Sequence, residues 1–177
     1  MAAAVSERPL ILTLKLDEGS FDWFQALRTE WFPPERNLVP AHLTLFHALP
    51  GAELGPVRRT VRDVCARTAP MTLHGGGFLR WGHGVAYSLH ARALNVFRAE
   101  LADAFAPWLT RQDQRPFQPH ITVQNKVAQL EAKALLERLQ AEWEPFDGGG
   151  EGVLLWRYQR GPWEALDEVA FGGPARA

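Results

Sequence analysis

Apolar positions along the chain alternate between two periods. Pro9–Leu16 (PLILTLKL) has little polar interruption, the mark of a buried strand. Phe24, Leu27 and Trp31 then recur at helical spacing up to the pair Pro33-Pro34, where a helix is predicted to stop. Ala41–Leu49 (AHLTLFHAL) reads as a second strand. Pro56 stands where a first-turn proline belongs, ahead of the helical stripe Val57, Val61, Val64 and Cys65. Met71–Trp81 (MTLHGGGFLRW) is interrupted at Gly75-Gly76-Gly77, which predicts two short strands or one strand with a bulge. Gly84–Ala91 (GVAYSLHA) is another strand. Leu94, Phe97, Leu101, Phe105 and Trp108 form the most regular amphipathic helix, ending near Thr110–Arg115. The strand His120–Gln124 (HITVQ) follows, then a helix carrying Val127, Leu130, Ala134, Leu135, Leu139 and Trp143. Near the end, EGVLLWRYQ and ALDEVAF flank Gly161-Pro162 as a hairpin.

This order predicts an α+β fold. Each half has a strand, a helix and a strand carrying a histidine, so two lobes are expected, each a sheet with flanking helices. The 177 residues suffice for one domain of two small lobes, read as a single unit over 1–177 with frayed ends at 1–8 and 172–177. Apolar types make up 46% and charged types 22%, which excludes disorder as the main state. A net charge of −1 argues against a general nucleic-acid or membrane-surface binder. The single cysteine, Cys65, excludes an internal disulfide framework and multi-cysteine zinc sites and fits a reducing compartment. The start MAAAVSERPL lacks the pattern of a secretory signal, and no stretch reaches the length of a membrane span. A cytoplasmic protein without membrane contact is expected.

One short pattern occurs twice: Pro40-Ala41-His42-Leu43-Thr44-Leu45 and Pro119-His120-Ile121-Thr122-Val123. Residues i and i+2 share a face of a strand. His42 and Thr44 therefore point one way and Leu43 and Leu45 the other; His120 and Thr122 oppose Ile121 and Val123 in the same manner. Six histidines and the Thr-plus-Ser content would supply about 0.4 bare copies by chance, a base-rate estimate. Two copies, both within strands and both with aliphatic alternates, call for a function. If the lobes face each other, two imidazoles and two hydroxyls line one cleft. In-line displacement at phosphorus needs a base on the attacking oxygen and an acid on the leaving oxygen, and imidazole serves either role near neutral pH. Threonine hydroxyls can donate to the non-bridging oxygens. Such a site calls for no metal or other cofactor.

The paired motifs resemble those of the two-histidine (2H) phosphoesterase superfamily, and within it the 2′-5′ RNA ligase and cyclic phosphodiesterase group. PAHLTLF resembles the first family motif and PFQPHITV (Pro116–Val123) the second. The resemblance runs in motif order over nearly the whole chain and is specific at the two motifs. It implies a bilobal, pseudo-two-fold fold around a central cleft, no metal cofactor, and a nucleotide or RNA terminus as substrate. The expected reaction opens a 2′,3′-cyclic phosphate, or makes or breaks a 2′-5′ linkage. His42 and His120 are the expected catalytic pair, with His120 as base and His42 as acid, and Thr44 and Thr122 hold the phosphate. The alternative is a binding module that grips the same ligands without turning them over.

Family members often carry an arginine shortly after the second motif; here the run is Gln124-Asn125-Lys126. Alternation puts Gln124 on the histidine face, and Lys126 too if the strand continues. Lys126 would meet a phosphate as a point charge rather than a fork. Phe46 has the parity to floor the cleft, and Phe117 and Tyr158 are further candidate contacts. His47, at odd offset from His42, is expected to face away. His74, His83 and His90 read as surface or hydrogen-bonded histidines. Trp31, Trp108 and Trp143 read as core. Gly75-Gly76-Gly77 has no following helix with a lysine, so it is a turn or bulge rather than a phosphate loop.

Overall fold

The computed structural model describes residues 7–174. The strands and helices follow in the order β1 (Leu10–Leu16), α1 (Glu18–Trp31), β2 (Leu43–Leu49), α2 (Leu54–Ala66), β3 (Met71–Arg80), β4 (Val85–His90), α3 (Arg92–Ala104), β5 (His120–Gln124), α4 (Gln129–Ala141), β6 (Asp147–Tyr158) and β7 (Trp163–Ala170). Local chemistry sets the ends. Asp17 caps α1 by accepting from the Ser20 N–H at 2.7 Å, and the helix stops before Pro33-Pro34, with the Phe32 N–H closing onto Arg28 O. The glycine run becomes one bulged strand: pairing with β4 slips between Gly75 and Phe78, and Gly77 takes φ +98°, a left-handed value that costs glycine nothing.

The strands run in the order β1-β2-β5-β4-β3-β6-β7, and β6 also pairs with β1. Six strands therefore close into a ring, antiparallel throughout, with β7 attached outside. This corrects the expectation of two separate sheets. The cause is the length of β6. One of its edges pairs with β1 from Gly150 to Arg157. The other is shared by β3, at Asp147–Gly150, and β7, at Gly152–Tyr158. A strand of 12 residues is long enough to join both halves, which leaves the ring a strong seam at β6 and a weak one opposite. The weak seam is β2–β5, whose register holds a single pair, Leu43 with Ile121.

Aliphatic residues of the ring and the apolar faces of the helices share one core. Helix α1 packs on β5 and β6, α4 on β3 and β4, and α2 on α3 and β7. Gly84, at the start of β4, has no alternative: a Cβ there would lie 2.1 Å from Gln124 O on β5. Among the described residues no helix is long and apolar enough to cross a membrane. Most of the expected frayed ends, residues 1–6 and 175–177, lie outside the described residues. Within them the ends are tied down: Arg8 donates to Gln159 Oε1, and the Gly172 and Gly173 N–H groups donate to Cys65 O and Thr68 O at 3.0 and 2.9 Å.

Candidate active site

The two His-x-Thr motifs meet at the weak seam. His42 immediately precedes β2 and His120 opens β5, one residue before Leu43 and Ile121, the pair that joins the strands. Beyond that pair β2 and β5 part, and backbone groups that a ladder would have satisfied need other partners. Two arginines supply much of this. From α1, Arg28 donates to Thr122 O at 2.7 Å, Asn37 Oδ1 at 2.9 Å and Val39 O at 3.2 Å, so it ties β5 to the segment leading into His42. From α3, Arg98 donates to Leu45 O on β2 and to Asp113 O. The buried Asp113 carboxylate accepts the N–H groups of His47 and Ala48 at 2.9 and 3.1 Å.

Both catalytic candidates are held alike. His42 Nδ1 lies 2.7 Å from Pro40 O and His120 Nδ1 2.7 Å from Gln118 O. A carbonyl only accepts, so each ring carries its proton on Nδ1 and leaves Nε2 as the free basic atom. Each ring also packs against a tryptophan, His42 on Trp163 at 4.6 Å and His120 on Trp81 at 4.9 Å between ring centroids. Thr44 and Thr122 are half-buried, two residues along each strand, and among the described residues neither hydroxyl is engaged within the protein.

The alternation rule holds for these residues and then breaks at the same offset in both strands. Thr13 pairs with Thr44 but Leu12 with Phe46, so β2 carries an extra residue between them. Ala86 pairs with Thr122 but Val85 with Gln124, so β5 does too. Such bulges reverse the facing of the residues beyond them. Leu45 and Phe46 are consequently both in the core at 1% and 0% exposure, with Phe46 edge-on to Phe105, and Phe46 does not floor the cleft. Val123 and Gln124 are likewise both buried, and among the described residues Gln124 Oε1 has no partner; Gln124 is not on the open histidine face. His47 shows the converse. It was expected to face away, yet beyond the bulge it is exposed rather than turned into the core with Leu45 and Phe46. Its Nδ1 lies 2.9 Å from Asp113 Oδ1.

The remaining candidates are dispersed. Phe117 is half-buried against the core, with the Arg98 guanidinium 5.4 Å from its ring. Tyr158 is 40% exposed at the end of β6. Lys126 lies beyond β5, because the strand ends at Gln124; it is exposed and adopts φ +66°. Sequence reasoning missed Trp81, Trp163, Arg28 and Arg98, although signals were present. Trp81 borders the glycine turn Gly82–Gly84 and Trp163 follows Gly161-Pro162, positions that place an indole at a strand end rather than on a helix face. Arg28 is four residues after Phe24, and Arg98 is four after Leu94; each is a cation on an apolar helical stripe.

The electrostatics favour neutral imidazoles. Burial pushes His42 down to about 4; the bond to Pro40 opposes this, and the charges of Arg28, His120 and His47 reinforce it. His120 is lowered as well, chiefly by burial, with its Gln118 bond opposing and His47 reinforcing. Burial also lowers Arg28 to about 10. Among the described residues Arg28 has no carboxylate partner, so no carboxylate there offsets its positive charge at the seam.

A cavity of about 1130 Å³ lies elsewhere, lined by residues that include Arg67, Met71, His74, His90 and Arg92. It touches neither His42 nor His120. His74 there bonds Asp147 at 2.6 Å, and His83 Nδ1 donates to Val127 O at 3.0 Å. A smaller depression of about 540 Å³ shares Trp81 with the catalytic candidates.

The family model of the 2′-5′ RNA ligase superfamily matches residues 16–162, a span that includes both motifs. The chain belongs to the 2′-5′ RNA ligase superfamily. The 2H phosphoesterase membership implied by the paired motifs is thereby established, in a superfamily of phosphodiesterases and ligases. A Bacillus cytotoxicus protein named as a phosphoesterase is 30% identical over 116 residues, covering 62% of this chain and 65% of that protein. Among solved structures, TT0787 of Thermus thermophilus superposes with TM-score 0.67 at 18% identity, covering 93% of this chain and 98% of that one. LigT of E. coli complexed with 3′-AMP gives 0.59 at 20%, covering 93% and 98%. The same protein complexed with NADP+ gives 0.56 at 19%, covering 94% and 99%. These likenesses fix this superfamily member's fold as the LigT-like α+β architecture.

Proposed function

We propose that this superfamily member is a metal-independent phosphodiesterase acting on nucleotide or RNA-end phosphodiesters through its two histidines. The observation that carries this reading is the matched restraint of His42 and His120. Both hold Nδ1–H on a carbonyl two residues upstream and leave Nε2 free, and they flank a seam where the strands part. The nucleotide complexes of LigT support a nucleotide ligand for this chain.

For a 2′,3′-cyclic phosphate, Nε2 of one imidazole takes a proton from water as the water oxygen bonds to phosphorus. The bond from phosphorus to one ribose oxygen breaks, and Nε2–H of the other imidazole protonates that oxygen. The product is a phosphomonoester and a free hydroxyl. Thr44 and Thr122 would donate to the non-bridging oxygens. A 5′-hydroxyl in place of water would give a 2′-5′ linkage by the same proton movements. We assign the roles the other way round from the expectation drawn from the sequence. Three cationic or imidazole neighbours oppose protonation of His42 and one opposes that of His120, so His42 serves as base and His120 as acid. A cytoplasmic location remains part of the proposal.

Incubating chelator-treated protein with adenosine 2′,3′-cyclic phosphate and following ³¹P NMR tests the reading. The expected result is a single phosphomonoester isomer formed at an undiminished rate in EDTA. Saturable binding of the nucleotide with no product would instead make the protein a binding module.

A further inference from the structure

The depression beside the catalytic candidates is built by three turns. Arg36 ends the short helical turn Pro34–Arg36 between α1 and β2. Trp81 and His83 belong to the β3–β4 turn, and Asn125, Lys126 and Val127 follow β5. The last two turns are locked together: His83 Nδ1–H donates to Val127 O, and the Val127 N–H donates to His83 O at 3.2 Å. Arg28 anchors the first turn from beneath, through Asn37 and Val39.

The lining has one chemical sense. Of its six residues, two are permanent cations, Arg36 and Lys126, and none is a carboxylate. Neither cation forms an ion pair among the described residues. Lys126 holds a left-handed backbone, with its N–H donated to Asn125 Oδ1 at 2.8 Å. A left-handed lysine stores strain of a kind concentrated at ligand sites. Trp81 is 43% exposed, and its ring is the wall shared with His120. A large indole left open between an imidazole and two unpaired cations suits a base that stacks and a phosphate that pairs.

Resting on the phosphodiesterase reading, we infer that this depression is a subsite for a second phosphate, with its adjoining base on Trp81. The favoured substrate then carries a phosphate beyond the one that reacts. That second phosphate is either the 5′-phosphate of a mononucleotide or the internucleotide phosphate of an RNA end. Arg36 offers a fork of N–H donors and Lys126 a point charge.

The test compares kcat/KM for three substrates: adenosine 2′,3′-cyclic phosphate, its 5′-phosphorylated form, and the dinucleotide ApA ending in a 2′,3′-cyclic phosphate. Wild-type protein should prefer at least one phosphate-bearing substrate. The preferred one tells a mononucleotide 5′-phosphate from an RNA link. In the double variant R36Q/K126Q the preference ratio should fall about tenfold or more, the scale of charge-assisted hydrogen bonds. Added NaCl should erode the wild-type ratio as well. A ratio unchanged by the double variant overturns the subsite, whatever happens to absolute rates. Should the wild type turn over none of the three, the phosphodiesterase reading fails. Calorimetric binding of adenosine 2′-phosphate and adenosine 2′,5′-bisphosphate then judges the subsite alone. Equal affinities would overturn it; tighter bisphosphate binding, lost in R36Q/K126Q, would support it.

Discussion

At the scale of single residues, the decisive feature is a tautomer. Two carbonyls, Pro40 O and Gln118 O, fix where each proton sits, so both rings present the same nitrogen. Burial and neighbouring charge then disfavour protonation of both rings in the free protein. His42 is pushed down to about 4 and His120 below the ordinary imidazole value. With the proposed roles, His42 neutral as base and His120 protonated as acid, catalysis is lost below the first value and above the second. The kcat/KM profile, which reports the free protein, should therefore be a bell lying between about pH 4 and pH 6.5, on the acid side of an unperturbed imidazole. A profile still rising above pH 7 would contradict this assignment.

Among secondary-structure elements, the seam between β2 and β5 does the positioning. One rung joins the strands, two bulges at equal offset turn their later residues inward, and Arg28 and Arg98 occupy the gap. Arg28 matters twice, through three hydrogen bonds and through a charge that opposes protonation of His42. Replacing it by Gln should lower stability by about 1–3 kcal/mol, the cost of unpaired buried carbonyls. It should also raise the pH of the acid limb. Arg28→Lys keeps the charge but loses the fork, so it should lower the melting temperature while leaving the acid limb closer to wild type. Thermal unfolding and pH profiles of both variants separate the two roles. The sequence made the motifs legible because alternation holds from His42 to Thr44 and from His120 to Thr122. It misplaced Phe46, Gln124 and His47 because a bulge leaves no mark in a hydrophobic pattern: Leu45 and Phe46 are both apolar on either reading. The wedge arginines were visible as cations on apolar stripes, but their partners are backbone carbonyls of distant strands, which no local pattern identifies.

For the molecule as a whole, closure of the ring explains how a seam so thin can persist. Strand β6 holds β1 on one edge and β3 and β7 on the other, so the far side of the ring fixes the halves and leaves β2 and β5 free to part. The α+β class and nearly every element were readable from periodicity. Closure was not, because the pattern of β6 says nothing about how many neighbours share its edges. One claim is central: two imidazoles on opposite sides of that seam act as a single acid–base pair. Turnover of adenosine 2′,3′-cyclic phosphate by His42→Asn, by His120→Asn and by the double variant tests it most directly. Each single change should cost at least about a hundredfold in kcat, and the double variant should cost little more than either, as residues acting as one unit do. Wild-type turnover in either single variant, or losses that multiply in the double variant, would contradict it.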